Sequence, residues 1–130
     1  MLTQPVDVEI VSFGFLHAPA PAAHIVLDLR HHFRDPHINP ALRELTADDE
    51  PVRAAVAATP GIDVLLNATL TGVLGFLTGP STGLVTVADG CAGGRHRAPA
   101  FAMTLADRLR FIGLTVQVTH RDMHRPVVQR

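Results

Sequence analysis

The sequence predicts an α/β protein: a single compact domain built on a largely parallel sheet, with helices on both faces of the sheet. Two observations support this prediction. Apolar stretches of strand length alternate with stretches of helical periodicity, in the order ββααβαβ. The chain has 130 residues, of which 47% are hydrophobic and 18% charged. It is therefore long enough and apolar enough to enclose one core.

Four stretches are predicted strands: residues 6–12, 24–30, 84–88 and 114–120. The first alternates apolar and acidic residues, as half-buried strands do. The second is a nearly continuous apolar run that ends in a charged pair, Asp28 and Arg30, so both residues are expected at the carboxyl end of a strand. Pro19 and Pro21 exclude regular structure between these two strands.

Three helices are predicted, after a loop that contains Pro36 and Pro40. A short helix covers about residues 49–58. A second begins at Thr59 and Pro60, and its apolar residues repeat at helical spacing as far as Leu77. A third covers residues 99–112 and ends at a glycine. The core of the domain is expected at about residues 6–122, followed by a flexible tail at 123–130.

Composition restricts the classes of partner. The net charge of −1 excludes the broadly basic surface of a protein that coats nucleic acid, so any RNA contact has to be local. All eleven basic residues are arginine, whose planar guanidinium suits phosphate oxygens. No apolar run approaches the roughly 20 residues of a membrane helix, and the first residues lack a secretory charge pattern. We therefore expect a cytoplasmic protein without membrane contacts.

The most informative segment is the glycine-rich stretch between the third strand and the third helix, at residues 89–99. Its glycines let backbone amides turn inward, and the positive end of the following helix adds its dipole. Three cationic or ionisable side chains follow. The sequence thus predicts a phosphate site made of Cys91, Ala92, Gly93, Gly94, Arg95, His96 and Arg97. The alternative is an ordinary turn whose arginines are solvated.

The same segment raises an enzymatic alternative. Cys91 and Arg97 have the Cys-x5-Arg spacing of cysteine-dependent phosphatases, in which a thiolate attacks phosphorus and the arginine holds the phosphoryl oxygens. Gly90 and Ala98 stand where those enzymes usually have a histidine and a hydroxyl. A buried, unreactive cysteine is the other interpretation of Cys91.

The histidines offer no metal-binding pattern. There is no HExxH motif and no paired CxxC, so we expect no metal and no cofactor. Two histidines in loops at the predicted ligand end of the sheet, His37 and His96, are candidates to donate to phosphate.

Six segments resemble, in order, motifs of the RNase adapter protein RapZ family, in its C-terminal domain. They are SFGF at 12–15, LDLR at 27–30, DPH at 35–37, LRELT at 42–46, GCAGGRHR at 90–97 and HRD at 120–122. The family counterparts are SFGF, FDVR, NPH, LRPLTG, GCTGGxHRS and HRD. Together they span about residues 11–122, nearly the whole chain.

The resemblance implies a nucleotide-binding, regulatory module that senses glucosamine-6-phosphate, binds small RNA and presents it to a ribonuclease, and assembles as a homo-oligomer. Carried over by position, the sugar-phosphate site would use Asp28, Arg30, His37 and the 91–97 loop, with Arg97 as phosphate anchor. A basic segment containing Arg121, Arg125 and Arg130 would contact RNA.

The chain departs from the family pattern at several points. It has no GxxxxGK[ST] loop and no lysine, so we expect a stand-alone domain without nucleotide hydrolysis and, as a possible partner, a separate ATPase-domain protein. Ala92 and Ala98 replace a threonine and a serine of the loop motif, which removes two hydroxyls from the expected phosphate site.

Overall fold

The structure, a computed structural model, describes residues 5–130. Its elements are β1 (Val8–Gly14), β2 (Ile25–Asp28), a 3-10 turn (Pro36–Ile38), α1 (Pro40–Arg43), α2 (Glu50–Ala57), α3 (Ile62–Thr78), β3 (Val85–Cys91), α4 (Arg97–Phe111) and β4 (Val116–His120). The predicted α/β class and the order of strands and longer helices are confirmed. Several boundaries differ. β3 continues to Cys91 and α4 begins at Arg97, so the glycine-rich loop between them is shorter than predicted.

The predicted loop around Pro36 and Pro40 contains two short helical turns instead. Each proline stands in a first turn, where its missing amide costs nothing because that amide would have no helical partner. The residue before each proline caps the turn. Asp35 Oδ1 accepts from the amide of His37 at 3.0 Å, and Asn39 Oδ1 accepts from the amide of Ala41 at 3.0 Å.

The four strands form one parallel sheet in the order β2-β3-β1-β4. Parallel pairing brings the carboxyl ends of the strands to a single edge. At that edge Gly14 is paired with Cys91, and Asp28 with Gly90. The predicted ligand residues of β2 and β3 therefore lie beside each other, as expected for parallel strands.

The helices pack on one face of the sheet only, which corrects the prediction of helices on both faces. Residues of α2, α3 and α4 share one buried cluster with Val8, Ile10, Val85 and Val87 of the central strands. The reason is topological. The two helical crossovers, β2 to β3 and β3 to β4, run in the same direction across the sheet, and right-handed crossovers then lie on the same side. The connection that runs the other way, residues 15–24, contains no helix.

β2 is shorter than the predicted strand at 24–30. It is the edge strand beside β3, and its burial alternates along its four residues. Val26, on the helix-free face, is 47% exposed.

No single helix among residues 5–130 is long and apolar enough to cross a membrane. α2 and α3 reach that length and hydropathy only as a pair bent by 85°.

Candidate functional site at the 91–97 loop

The glycines of the loop pack directly against the end of β1. A Cβ on Gly14 would lie 2.5 Å from the carbonyl carbon of Gly93, and a Cβ on Gly94 would lie 2.8 Å from the amide nitrogen of Gly14. Gly94 also has a φ of +76°, which disfavours any other residue. The loop is thus fixed by contact between two backbones, and close packing alone accounts for glycine at positions 14 and 94.

Cys91 lies beneath the first turn of α4 and is 2% exposed. Its sulfur accepts from the amide of Ala98 at 3.4 Å. Burial raises the pKa of the Cys91 thiol, and the Ala98 amide and the charge of Arg97 offset that rise only in part. The sulfur is therefore held as a thiol at neutral pH, which is the reverse of what a phosphatase nucleophile needs. The geometry favours the buried, unreactive cysteine.

Arg97 is almost fully buried and is surrounded by acceptors from a single segment. Its Nη1 donates to the carbonyl oxygens of Leu29, Arg30 and Phe33 at 3.1, 2.9 and 3.3 Å. Its Nη2 lies 3.2 Å from the Asp35 carboxylate. Nε is buried and has no hydrogen-bond partner among the described residues. The guanidinium thus fastens residues 29–35 to the loop and retains one unused donor.

Arg95 also binds backbone oxygens rather than solvent. Its Nη1 donates to the carbonyl of Arg125 at 2.5 Å and its Nη2 to the carbonyl of Glu44 at 2.6 Å. No carboxylate lies within ion-pair distance of Arg95 in the described part of the chain, and its Nε is buried without a partner. The positive charge of Arg95 is thus unneutralised beside the loop.

His96 caps the start of α4 and is 3% exposed. Its Nε2 lies 2.8 Å from the carbonyl oxygen of Leu45. Because a carbonyl only accepts, Nε2 carries the hydrogen. Burial lowers the pKa of His96, which favours the neutral ring. His96 is thus a structural donor to residue 45 and not free to donate from Nε2 to a ligand.

Asp35 is a site residue that the sequence analysis did not select. One oxygen caps the 3-10 turn, and the other faces the guanidinium groups of Arg97 and Arg130. Burial raises the pKa of Asp35, but the charge of Arg97, the amide of His37 and Arg130 outweigh that effect and leave the pKa lowered. An Asp before a proline is typical of a helix cap. That local pattern does not indicate that the same carboxylate also pairs with two arginines.

His37 lies two positions after Asp35 and is half-buried. Burial lowers its pKa, and the nearby charge of Arg130 lowers it further. The ring forms no hydrogen bond with the described residues, so it is free to meet a ligand. The structure thus brings His37, Asp35 and Arg97 together on one side of the loop.

Asp28 and Arg30 form a separate, exposed pair. Arg30 Nε and Nη2 donate to the two carboxylate oxygens of Asp28 at 2.9 and 2.7 Å, which lowers the pKa of Asp28 to about 2. The guanidinium lies 3.7 Å above the ring of Phe15. Asp28 is paired with Gly90 and points to the helix-free face, whereas Cys91 points to the helices. The predicted ligand residues are thus divided between two faces of one edge.

The three arginines predicted to contact RNA all form bonds within the protein. Arg121 donates to the carbonyls of residues 14, 18 and 19, and Arg121 and Arg125 both pair with the buried carboxylate of Asp122. Arg130 pairs with Asp35. The 123–130 segment, predicted to be a flexible tail, has Met123 buried in the core. The RNA contact stays a prediction.

A polar row crosses the sheet below the site and was missed from the sequence. Asp89, Ser12 and His120 are neighbours on β3, β1 and β4. Ser12 Oγ and His120 Nδ1 are 2.6 Å apart, whereas neither oxygen of the fully buried Asp89 has a described partner. Burial raises the pKa of Asp89 well above its usual value, which favours the neutral carboxyl. In residues 5–130 no three His, Cys, Asp or Glu side chains cluster to hold a metal ion.

Together these features define a one-sided parallel α/β domain with an arginine-lined glycine loop at its carboxyl edge. The chain belongs to the RapZ C-terminal domain family, whose profile matches residues 6–124. The resemblance drawn from the six motifs is thereby confirmed.

Several relatives are called nucleotide-binding proteins. One from Thermobifida fusca (strain YX) is 42% identical over 121 residues, which is 90% of this chain and 40% of the relative. One from Symbiobacterium thermophilum is 39% identical over 123 residues, which is 92% of this chain and 40% of the relative. One from Trichlorobacter lovleyi is 36% identical, over 91% of this chain and 42% of the relative. The chain thus spans about two fifths of the length of these relatives.

Proposed function

We propose that this chain is a regulatory module that binds a phosphorylated small molecule, of the amino-sugar phosphate type, at the 91–97 loop. The observation that carries the proposal is a concentration of unused donors. Among the described residues, Nε of Arg95 and Nε of Arg97 are buried without hydrogen-bond partners, and no oxygen accepts from the amide of Gly93. Buried donors without acceptors cost free energy unless a ligand or water accepts from them.

The charge around these donors favours an anion. Within residues 5–130, Arg95 has no carboxylate partner, and Arg97 and Arg130 share one carboxylate, that of Asp35. The N-terminus of α4, a helix of 15 residues, adds its dipole in the same place. A phosphate group matches both the charge and the number of donors.

The other end of the proposed ligand requires acceptors, because an amino sugar presents an ammonium group and hydroxyls. Asp35 lies beside the loop, and Asp28 lies across the same edge of the sheet, on the helix-free face. The pKa of each is lowered, so both are charged at neutral pH. The arginines and the Gly93 amide would bind the phosphate, and the Asp35 carboxylate would accept from the ammonium group or a hydroxyl of the same ligand.

The test is isothermal titration calorimetry with glucosamine-6-phosphate, glucosamine, inorganic phosphate and ATP. The site variant is Gly93→Asp, which places a negative charge on the loop and can fold, because a Cβ at Gly93 meets only Arg130, at 3.6 Å. The matched control is Gly83→Asp, because a Cβ at Gly83 meets nothing within 4 Å, and Gly83 precedes β3 at the opposite edge of the sheet.

We expect the sugar phosphate to bind wild type and Gly83→Asp alike and more tightly than either fragment. We expect Gly93→Asp to weaken binding at least about tenfold, that is by about 1.4 kcal/mol or more. Equal binding by the two glycine variants would contradict the proposed site. Tighter binding of ATP than of the sugar phosphate would instead assign the site to nucleotides, in agreement with the names of the relatives.

A phosphatase assay addresses the enzymatic alternative with the same protein. The buried Cys91 thiol predicts no release of phosphate from an aryl phosphate such as p-nitrophenyl phosphate. Turnover by wild type that disappears in Cys91→Ser would replace the proposed binding function with catalysis.

A further inference from the structure

Residues 126–130, called the arm below, begin beside the ligand loop. The carbonyl of Arg125, immediately before the arm, accepts from Arg95 Nη1. The arm has no regular structure, and its two valines, Val127 and Val128, are half-buried. The start of the arm is thus tied to the loop by Arg95.

Arg130 lies against three residues of the candidate site. Its guanidinium pairs with the Asp35 carboxylate. Its Nη2 would lie 3.6 Å from a Cβ on Gly93, so the guanidinium is next to the loop backbone. Its charge contributes to the lowered pKa of His37, after burial. The arm therefore delivers a cation into the cleft between the loop and the 3-10 turn.

Arg130 and Arg97 bind the same oxygen of Asp35 but differ in burial and in the number of their other acceptors. The side chain of Arg97 is 3% exposed and is held by three carbonyls, whereas the side chain of Arg130 is 27% exposed and its one described acceptor is Asp35. Two guanidinium groups on one carboxylate leave a net positive charge at the cleft. Arg130 is the member of this pair that can change partner.

We propose that Arg130 is a ligand-binding residue of the small-molecule site, which the arm brings onto the phosphate group held by the 91–97 loop. The inference rests on the proposed function and adds a residue that the sequence analysis had assigned to RNA. A phosphate dianion carries more charge than the Asp35 carboxylate and accepts two parallel bonds from a guanidinium. Arg130 moves from Asp35 to the phosphate when the ligand binds.

The first experiment is titration calorimetry with glucosamine-6-phosphate and with inorganic phosphate on wild type, Arg130→Gln and Arg34→Gln. Arg34 is the matched control, because it is exposed, adjoins Asp35 in sequence and belongs to no described ion pair. Arg130→Gln should weaken both ligands by about tenfold or more, the usual effect of losing a charge-assisted hydrogen bond, whereas Arg34→Gln should not.

The second experiment needs no ligand. The pKa of His37, followed by NMR, should rise in Arg130→Gln relative to wild type, because a nearby positive charge has been removed. An unchanged His37 titration would show that the arm does not lie in the cleft and would overturn the inference.

Calorimetry distinguishes a failure of the Arg130 assignment from a failure of the proposed function. If wild type binds the ligands and Arg130→Gln binds them equally or more tightly, the assignment of Arg130 is wrong and the proposed function stands. If wild type binds neither ligand, the proposed function fails and this inference fails with it.

Discussion

Two arginines of the predicted phosphate site, Arg97 and Arg30, have opposite surroundings. Arg97 is the first residue of α4, and its side chain is buried where three carbonyls and a carboxylate bind it. Arg30 lies at the edge of the helix-free face, where it pairs with Asp28 and stacks on Phe15. Both residues carry the same guanidinium group, and the sequence predicted the same role for both. Their environments make Arg97 a fastening between two loops and leave Arg30 accessible to solvent and ligands.

The largest expected effect comes from removing the buried guanidinium. Arg97→Met leaves three carbonyls without their donor and Asp35 with a single arginine, so the free energy of unfolding should fall by about 3–5 kcal/mol. Arg30→Met removes an exposed pair that solvent screens and should leave the urea midpoint close to that of wild type. Urea denaturation of the two variants makes the comparison. Similar midpoints would contradict the structural role of Arg97.

Asp89 provides the next largest effect, in the opposite direction. Asp89→Val removes a buried carboxyl that has no hydrogen-bond partner among the described residues, and should raise the free energy of unfolding by about 1–3 kcal/mol at pH 7. The folded pKa of Asp89 lies above the unfolded one, so its favourable contribution is complete below about pH 4 and is lost as the pH rises. The gain in Asp89→Val should therefore shrink on going from pH 7 to pH 4. A gain in the free energy of unfolding that is the same at pH 7 and pH 4 would show that the folded pKa of Asp89 is not raised.

The carboxylate partners of these arginines, Asp35 and Asp28, should also differ in how much they contribute to stability. Asp35→Asn weakens the bonds to both of its arginines and should cost about 1–2 kcal/mol, whereas Asp28→Asn should cost little because its pair is exposed. The folded pKa of Asp35 is lowered, so the stability it contributes is present above about pH 4 and disappears as the pH falls through the folded value. Urea midpoints of Asp35→Asn and wild type should converge in acid.

The smallest effect concerns His96. Its folded pKa is lowered by burial, so the unfolded state binds a proton first and stability falls as the pH drops below about 6.5. His96→Gln keeps a donor for the Leu45 carbonyl and should flatten the pH dependence of the urea midpoint between pH 7 and 5. The exposed His32 is the matched control, since His32→Gln should leave that dependence unchanged.

The sequence predicted the sheet and the loop more accurately than the use of individual side chains. Periodicity and the turn residues predicted four strands and three longer helices, because those signals are local. The side of the sheet on which the helices pack depends on strand order, which the sequence pattern does not contain. The two turns at Pro36 and Pro40 were missed because proline in a first turn and proline in a loop give the same pattern.

At the site, the limits of prediction follow from what each residue contacts across the chain. Arg97 lies 62 or more positions after Asp35 and its carbonyl partners, and Asp35 is also 95 positions before Arg130. Nothing in the local sequence distinguishes an arginine that will bind backbone oxygens from one that will face a ligand. Asp89 was unremarked for the same reason, because its isolation depends on what surrounds it in three dimensions.

The short β2 strand affects how copies of this protein meet one another in concentrated solution. An edge strand with unpaired backbone groups can recruit a strand from another molecule and start aggregation. β2 is four residues long, follows the proline-containing segment 15–24 and ends at the charged Asp28 and Arg30 pair. It offers few backbone amides to an incoming strand, and the charged pair at its end disfavours further pairing. This edge therefore resists growth into a larger intermolecular sheet.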